Sequence, residues 1–187
     1  MITTDVPLQG MPGWLGVDRA LAGWLAWRLC GEAVLVADAG TVLSLTRVDR
    51  GGRFAGGRLM AGLGLQWRAM AERTAALPDA PPPGALAGLL DRGCWPADTS
   101  AAMAVGVAHG LAAALAVALR QARADLPGCR LVLTGGDASG LFPLLRDLLA
   151  GEAGTVTMEP DLALRGLVAL RPEPWPADQA SPRSSST

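Results

Sequence analysis

Apolar and polar residues repeat with two different periods along this chain, and the change between them marks the predicted elements. Helical spacing begins at Leu15 and continues to about Leu29. An apolar run from Val34 and an alternating run that ends at Val48 predict two strands joined by a tight turn. The later segments predict a strand over Phe54 to Met60, helices over Leu63 to Ala75, Ala85 to Leu90 and Ala101 to Ala124, a strand over Arg130 to Thr134, a helix over Leu141 to Ala150, a strand over Gly154 to Met158 and a helix over Leu162 to Leu170.

This order of elements predicts an α/β domain. Its mixed sheet opens with an antiparallel hairpin and is covered by helices. Residues 1–14, with two prolines and two glycines, are expected to form a lead-in loop. The stretch Pro81 to Gly84 is expected to break the chain within the domain. Residues 171–187 are dominated by Pro and Ser and are expected to be disordered.

Charge and composition exclude several classes of function. The net charge is −1, so no basic field would attract nucleic acid or anionic lipid. The sequence has no Lys, and its cationic side chains are all Arg. A Walker-type phosphate loop is therefore excluded, because its lysine reaches the phosphates. Half of the residues are apolar, which is enough to build a core.

The three cysteines are far apart, and His109 is the single histidine. This spacing does not predict a zinc site, and it favours reduced thiols in the cytosol. We expect His109 to pack on a helix among alanines.

The uncharged segment Ala101 to Leu119 is long enough to span a bilayer. Because it is rich in Ala and carries His109, we interpret it as a buried helix of a cytoplasmic domain rather than a membrane span.

One turn carries candidate chemistry. Asp38-Ala39-Gly40-Thr41 follows a buried strand, and Gly40 is expected to use backbone angles closed to other residues. The exposed N–H groups and the Thr41 hydroxyl would then form a cradle for phosphate oxygens. Asp38 would hold a cation beside those phosphates. An ordinary hairpin with a polar turn explains the same four residues.

Two further turns combine glycine with an acidic residue. They are Gly16-Val17-Asp18-Arg19, which opens the first helix, and Thr134-Gly135-Gly136-Asp137, which follows a strand. Ligands of α/β sheets gather beyond the carboxyl ends of strands. The three turns together predict a nucleotide site built from backbone. Asp18 lies in the first turn of its helix, where the helix dipole favours an ionised carboxylate.

Six blocks of residues occur along the chain in this order: Leu15-Gly16-Val17-Asp18-Arg19-Ala20, Asp38-Ala39-Gly40-Thr41, Gly56-Gly57-Arg58-Leu59-Met60-Ala61-Gly62, Thr74-Ala75-Ala76-Leu77-Pro78, Asp98-Thr99 and Thr134-Gly135-Gly136-Asp137-Ala138. This series resembles the type III pantothenate kinases, the Bvg accessory factor-like family of the actin-like kinase superfamily. The resemblance extends over residues 15–170 and implies a ribonuclease H-like, actin-like domain, the second and C-terminal one of such a kinase.

The resemblance implies ATP-dependent phosphorylation of pantothenate to 4'-phosphopantothenate, the first step toward coenzyme A. On the substrate side, Gly16 and Val17 would contact pantothenate. Asp18 would accept the proton of its hydroxyl, and Arg19 would bind its carboxylate. Thr74 would reach pantothenate across a homodimer interface.

On the nucleotide side, the resemblance implies that Gly40 and Thr41 contact ATP phosphate. Gly135 and Gly136 would lie near the adenosine. Asp38 would coordinate a monovalent cation, K⁺ or NH₄⁺, and ATP would enter with Mg²⁺. The implied partners are pantothenate, ATP and a second copy of the chain.

The sequence also departs from the family pattern. The family has an N-terminal strand followed by Asp-x-Gly-Asn-Thr or a close variant, and Met1 to Trp14 does not match it. Ala61 stands where the family usually has Pro. Because one phosphate loop is visible, we expect little kinase activity from the sequence as it stands. One alternative is a non-catalytic binding or regulatory protein with the same fold. Another is a different actin-like kinase or phosphatase, against which the Gly16 to Arg19 block argues.

Overall fold

The computed structural model describes residues 3–79, 86–152 and 156–171. Their helices and strands follow the predicted order. In this order they are α1 Val17–Cys30, β1 Val34–Ala39, β2 Val42–Val48, β3 Phe54–Ala61, α2 Leu63–Arg73, α3 Leu86–Leu90, α4 Thr99–Asp125, β4 Arg130–Thr134, α5 Ala138–Leu148, β5 Val156–Met158 and α6 Leu162–Ala169.

The five strands form one mixed sheet in the order β3-β2-β1-β4-β5. The pairs β1–β2 and β2–β3 are antiparallel, whereas β1–β4 and β4–β5 are parallel. The predicted mixed sheet that opens with an antiparallel hairpin is therefore confirmed. β1 lies at the centre, with a hairpin partner on one side and a parallel crossover partner on the other.

Alternation along the central strand divides the core into two layers. Leu35 and Ala37 face the layer of α4 and α5, and Val34 and Val36 face the layer of α1. Helix α6 packs on α1 in this second layer. Because Asp38 continues the even-numbered row, it projects on the same side of the sheet as α1.

Helix α4 is the core helix of the first layer. By length and hydropathy it is the one helix of the described residues that could cross a membrane, but 61% of its most apolar window is buried within the domain. The helix begins after Asp98, whose Oδ1 accepts a hydrogen bond of 2.9 Å from the Ala101 N–H. This side-chain cap satisfies one of the free donors of the first turn. His109 lies half-buried within the helix.

The lead-in segment contributes to the second layer. It contains a 3-10 turn over Thr3–Asp5, and the side chains of Val6 and Leu8 are buried. The Gln9 N–H donates to the Gly52 carbonyl at 3.0 Å, and the Phe54 N–H donates back to the Gln9 carbonyl at 2.8 Å. These bonds attach the segment to the turn that precedes β3.

The fifth helix begins earlier than the sequence pattern predicts. It starts at Ala138 instead of Leu141, because the turn before it already leads into helical geometry. The Leu141 N–H donates to the Asp137 carbonyl at 3.3 Å. The predicted break at Pro81 to Gly84 and the start of the last strand at Gly154 lie outside the described residues.

We expect Asp98→Ala to lower the unfolding free energy by about 1 kcal/mol, because it removes the side-chain cap of α4. Thermal unfolding should show a midpoint lower by about 2 to 4 °C. Asp91→Ala is the control, since Asp91 is exposed in the turn after α3. Equal midpoints for the two variants would contradict a stabilising role of the cap.

Candidate functional site

The candidate site lies where β1 and β4 end side by side. Their parallel register places Asp38 opposite Thr134, and the hairpin register places it opposite Ser44. Ser44, Thr46 and Thr134 are the buried polar side chains of the described residues, and all three share the α1 side of the sheet. The polar part of an otherwise apolar layer is therefore gathered around Asp38.

Asp38 is the half-buried carboxylate of this site. Burial raises its pKa above the ordinary 3.8, and the negative charge of Asp18 raises it further. Both effects disfavour the ionised form. A carboxylate held in this way binds a proton or a cation more readily than an exposed one does.

Gly135 makes the close approach between the ends of β1 and β4 possible. A Cβ at this position would lie 2.5 Å from the Asp38 Oδ1 and 2.6 Å from the Ala39 carbonyl oxygen. Its φ of 94° is also a conformation that favours glycine. The Asp137 N–H then donates to the Ala39 carbonyl at 2.9 Å. Two of the predicted glycine turns are thus brought into direct contact.

A cleft of about 280 Å³ opens beside this contact. It is lined by Asp38, Thr134, Gly135, Gly136 and residues 160–164, which lead into α6. The Thr134 hydroxyl accepts a hydrogen bond of 3.4 Å from the Leu162 N–H, which ties β4 to α6. Burial raises the pKa of Asp137 at the start of α5. The cleft combines the carboxylates of Asp38 and Asp161, a glycine-rich turn and an apolar wall.

The turn at Gly40 and Thr41 differs from its prediction in one respect. Gly40 does not adopt a positive φ, and a Cβ placed on it would come no closer than 3.9 Å to another atom. The expectation that it uses backbone angles closed to other residues is wrong, because the three residues between the paired Ala39 and Leu43 close the turn without a positive φ at Gly40. Thr41 is exposed at the turn, as a phosphate contact would require.

Gly62 fastens this turn to the rest of the domain. Its N–H donates to the Thr41 carbonyl at 2.9 Å. A Cβ on Gly62 would lie 1.9 Å from the Gly40 carbonyl oxygen, so the start of α2 is in direct contact with the turn. The glycine that ends the third predicted block therefore has a structural explanation.

The start of α1 brings three predicted residues to the same side of the sheet. Gly16 is the N-cap, and a Cβ on it would lie 2.5 Å from the Asp18 Oδ1. Asp18 is exposed in the first turn, close enough for its charge to affect Asp38. Val17 is half-buried and packs against the core layer of α1.

Arg19 lies across β2. Its Nε donates to the Thr46 hydroxyl and its Nη2 donates to the Leu45 carbonyl, each at 3.1 Å. Burial lowers the pKa of Arg19 from its ordinary value, and the charge of Asp18 opposes this shift. An arginine remains protonated at neutral pH, so the site holds a fixed positive charge next to Asp18.

Thr74 lies apart from the other candidates. It follows the last residue of α2, and its hydroxyl donates to the Met70 carbonyl at 2.8 Å. An eleven-residue helix is about 16 Å long, so α2 separates Thr74 from the turn at its other end. Among the described residues, no hydrogen bond or ion pair joins Thr74 to Asp18 or Arg19. Its role across a dimer interface stays a prediction.

The donor set of this site suits a weakly held, oxygen-binding cation. The described residues contain no group of three or more His, Cys, Asp or Glu side chains that could hold a metal ion. Asp38 contributes one carboxylate, and Ser44 and Thr134 are paired with it in the sheet. Oxygen donors of this kind favour hard cations over zinc.

Sequence analysis assigned no role to Ser44, Thr46 or Gly62, and for Gly57 it indicates only that a glycine within a strand lets backbone or ligand come close. The position of the first two follows from the hairpin register, in which three residues separate the paired Ala39 and Leu43. A two-residue turn at Gly40 and Thr41 would have placed Asp38 opposite Leu43 instead of Ser44. The importance of the two glycines depends on which atoms approach them in space. No local sequence pattern carries that information.

Comparisons with known proteins agree with the resemblance. The family model of type III pantothenate kinases matches residues 3–121. The type III pantothenate kinase of Synechococcus sp. (strain JA-3-3Ab) is 41% identical over 169 residues, which cover 90% of this chain and 66% of that protein. That of Gloeobacter violaceus is 42% identical over 144 residues, covering 77% of this chain and 61% of that protein.

The fold is also found among solved structures. A conserved Baf family protein from Campylobacter jejuni aligns with a TM-score of 0.58 at 18% identity, over 90% of this chain and 69% of that one. At this identity the likeness concerns the fold alone. The chain spans 63 to 66% of the length of the first two Synechococcus relatives that it matches.

We expect Gly135→Ala to destabilise the domain by about 1 to 3 kcal/mol, through the positive φ and the contact with Asp38. Gly136→Ala is the matched control, because a Cβ there meets no atom within 4 Å and φ is not positive. Chemical denaturation of both variants measures the difference. A Gly136→Ala variant as unstable as Gly135→Ala would contradict this account of the turn.

We expect Asp38→Asn to raise the unfolding midpoint at neutral pH in a buffer whose only cation is tetramethylammonium. The amide removes a charge that burial and Asp18 make costly. Because the folded-state pKa is raised, the native state binds more protons than the unfolded state above pH 3.8. The stability of the wild type should therefore rise as pH falls through the raised pKa of Asp38.

The difference between the Asp38→Asn and wild-type midpoints should shrink over that pH range. Measuring a difference cancels the titration of the carboxylates that both proteins share. Added KCl should stabilise the wild type and leave Asp38→Asn unchanged. A midpoint difference that does not depend on pH would show that the Asp38 charge carries no cost.

Proposed function

The chain belongs to the type III pantothenate kinase family, and from this premise we propose that it serves ATP-dependent phosphorylation of pantothenate to 4'-phosphopantothenate. This reaction is the first step of coenzyme A biosynthesis. The relatives named for it are longer than this chain, so the proposal concerns the activity to which the described domain contributes.

One observation carries the proposal beyond the family match. The first turn of α1 lies on the side of the sheet from which Asp38 projects, and the charge of Asp18 reaches Asp38. Three separate blocks of sequence, around residues 16–19, 38–41 and 134–137, thereby meet at one edge of the sheet. This convergence supports a site that binds an alcohol substrate next to the phosphates of a nucleotide.

On the substrate side, Asp18 accepts the proton of the pantothenate hydroxyl as it attacks phosphorus. Its exposure at the start of a helix keeps the carboxylate available. Arg19 binds the pantothenate carboxylate, for which a planar fork is better suited than an ammonium group. Gly16 and Val17 supply backbone contacts, and Thr74 is contributed by the second subunit of a homodimer.

On the nucleotide side, Thr41 and the backbone of Gly40 contact the ATP phosphates. Gly135 and Gly136 lie beside the adenosine, in the cleft of about 280 Å³ next to Asp38. Asp38 holds a monovalent cation, K⁺ or NH₄⁺, and Mg²⁺ enters with ATP. When bound, these cations supply positive charge that offsets the charge of the phosphoryl group. Phosphoryl transfer depends mainly on such positioning and charge neutralisation.

The same premise supports three broader assignments. We assign residues 15–170 to a ribonuclease H-like, actin-like domain, the C-terminal one of the kinase, and the strand order β3-β2-β1-β4-β5 supports this. We assign the protein to the cytoplasm. Its partners are pantothenate, ATP and a second copy of the chain, with neither nucleic acid nor membrane among them.

We expect Arg19→Ala to weaken pantothenate binding by about 10- to 100-fold, because a charge-assisted pair with the carboxylate is lost. Isothermal titration of pantothenate into this chain measures the effect. Arg28→Ala is the matched control, an exposed arginine on the same helix that stacks over Trp24. Equal affinity of the Arg19→Ala variant and the wild type would contradict the assigned role.

Titrating pantothenate and ATP individually distinguishes the proposed function from the alternative, a non-catalytic binding or regulatory protein. Binding of pantothenate alone supports a substrate half-site, and binding of neither ligand supports the alternative. Formation of 4'-phosphopantothenate with ATP, Mg²⁺ and K⁺ would exclude the alternative. It would also show that the single phosphate turn visible in the sequence is enough.

A further inference from the structure

The guanidinium of Arg19 is held by the sheet on one edge. Nε donates to the Thr46 hydroxyl and Nη2 donates to the Leu45 carbonyl, each at 3.1 Å. Thr46 is 2% exposed, so bulk water does not compete with Arg19 for the Thr46 hydroxyl. The side chain of Arg19 is therefore held in one orientation before any ligand arrives.

The geometry of the fork decides which donors remain. A guanidinium is planar and has five N–H groups, and the Nε hydrogen and one Nη2 hydrogen share one edge. The second Nη2 hydrogen and one Nη1 hydrogen share the neighbouring edge. Among the described residues, the structure shows no hydrogen bond or ion pair from Nη1. The edge that remains can bind a carboxylate through two parallel hydrogen bonds.

Gly57 on β3 provides the space for this arrangement. It is paired with Thr46 in the β2–β3 register. A Cβ on Gly57 would lie 2.5 Å from the Nη2 of Arg19 and 2.3 Å from the Leu45 carbonyl oxygen. Any side chain at this position would displace the guanidinium from its acceptor.

Arg47, on the face of β2 opposite to Thr46, is bound differently from Arg19. Its Nε and Nη2 both donate to the Ala55 carbonyl, at 3.1 and 2.9 Å, and its Nη1 donates to Asp125 at 2.6 Å. Both edges of this guanidinium are occupied by the protein, which is typical of a structural arginine. Arg19 has one edge occupied and one edge available.

We propose that Thr46 and Gly57 are positioning residues that orient the Nη1 edge of Arg19 toward the carboxylate of the substrate, and that they thereby set the preference for a carboxylate over a neutral analogue. The inference rests on the proposed function, because it takes pantothenate as the ligand of Arg19. It adds two residues on the sheet that determine how the arginine on the helix is used.

The test compares pantothenate with panthenol, in which an uncharged alcohol replaces the carboxylate. Both are titrated calorimetrically into the wild type, Thr46→Val, Thr46→Ser and the control Thr157→Val on β5. We expect Thr46→Val to lower the ratio of pantothenate to panthenol affinity by about tenfold, and Thr46→Ser to restore it. Thr157→Val should match the wild type. Gly57→Ala should lower the ratio as Thr46→Val does.

The ratio of pantothenate to panthenol affinity distinguishes a change in the orientation of Arg19 from a loss of folding. A variant that merely weakens the domain loses affinity for both ligands, and its ratio stays unchanged. An unchanged ratio in a folded Thr46→Val variant would overturn the inference and leave the proposed function intact. Tighter binding of panthenol than of pantothenate by the wild type would overturn both.

A second measurement does not require a ligand. In the free wild type, the Nε–H of Arg19 should give a resolved nitrogen–proton NMR signal that exchanges slowly with water, and Thr46→Val should abolish it. Thr46→Ser should retain the signal. If the wild type bound neither ligand, the proposed function would fail. A wild-type signal that exchanges as fast as that of Thr46→Val would show that the sheet does not hold the guanidinium.

Discussion

The parallel pairing of β1 with β4 is the constraint on which the candidate site depends. It places Asp38 opposite Thr134 and directs the chain that follows β4 against the end of β1. Gly135 then approaches the Asp38 carboxylate so closely that no side chain fits between them. Burial at this strand end raises the pKa of Asp38, and the charge of Asp18 raises it further. One strand pairing therefore creates both the cleft and the carboxylate within it, and a shift of register by one residue would separate them.

The candidate site depends secondly on helix α1, because this helix places two adjacent residues at different positions. Asp18 lies where its charge reaches Asp38, whereas Arg19 extends over β2 to the Thr46 hydroxyl and the Leu45 carbonyl. Helix α1 is held in this position by its apolar packing on the sheet and on α6. A buried polar group without a hydrogen-bond partner costs free energy. Here the buried hydroxyls lie beside the side chains of the candidate site.

Much of the fold was accessible from the sequence, since each predicted element depends on local patterns. Period-2 alternation and a short turn gave the hairpin that contains Asp38, and helical spacing gave the long helix from Ala101, two residues after its observed start at Thr99. The early start of α5 was missed, because the chain turns into the helix through a glycine with positive φ instead of through an apolar repeat. Gly40 was identified as a turn residue for a reason that the backbone does not bear out. Its neighbour in space, Gly62, is the glycine that the turn requires.

By itself the sequence determined the order of elements, the class of fold and the three turns on which a nucleotide site was predicted. These depend on hydrophobic period and on the residue types that turns tolerate, and both are local properties. Only the tertiary structure decided that Asp18 affects Asp38, that Gly135 touches its carboxylate and that Thr46 and Gly57 hold one edge of Arg19. Those relations join residues that are far apart along the chain. They arise from strand pairing and from the packing of α1 across the sheet, where distance in space and not distance in sequence decides which charges and hydrogen bonds interact.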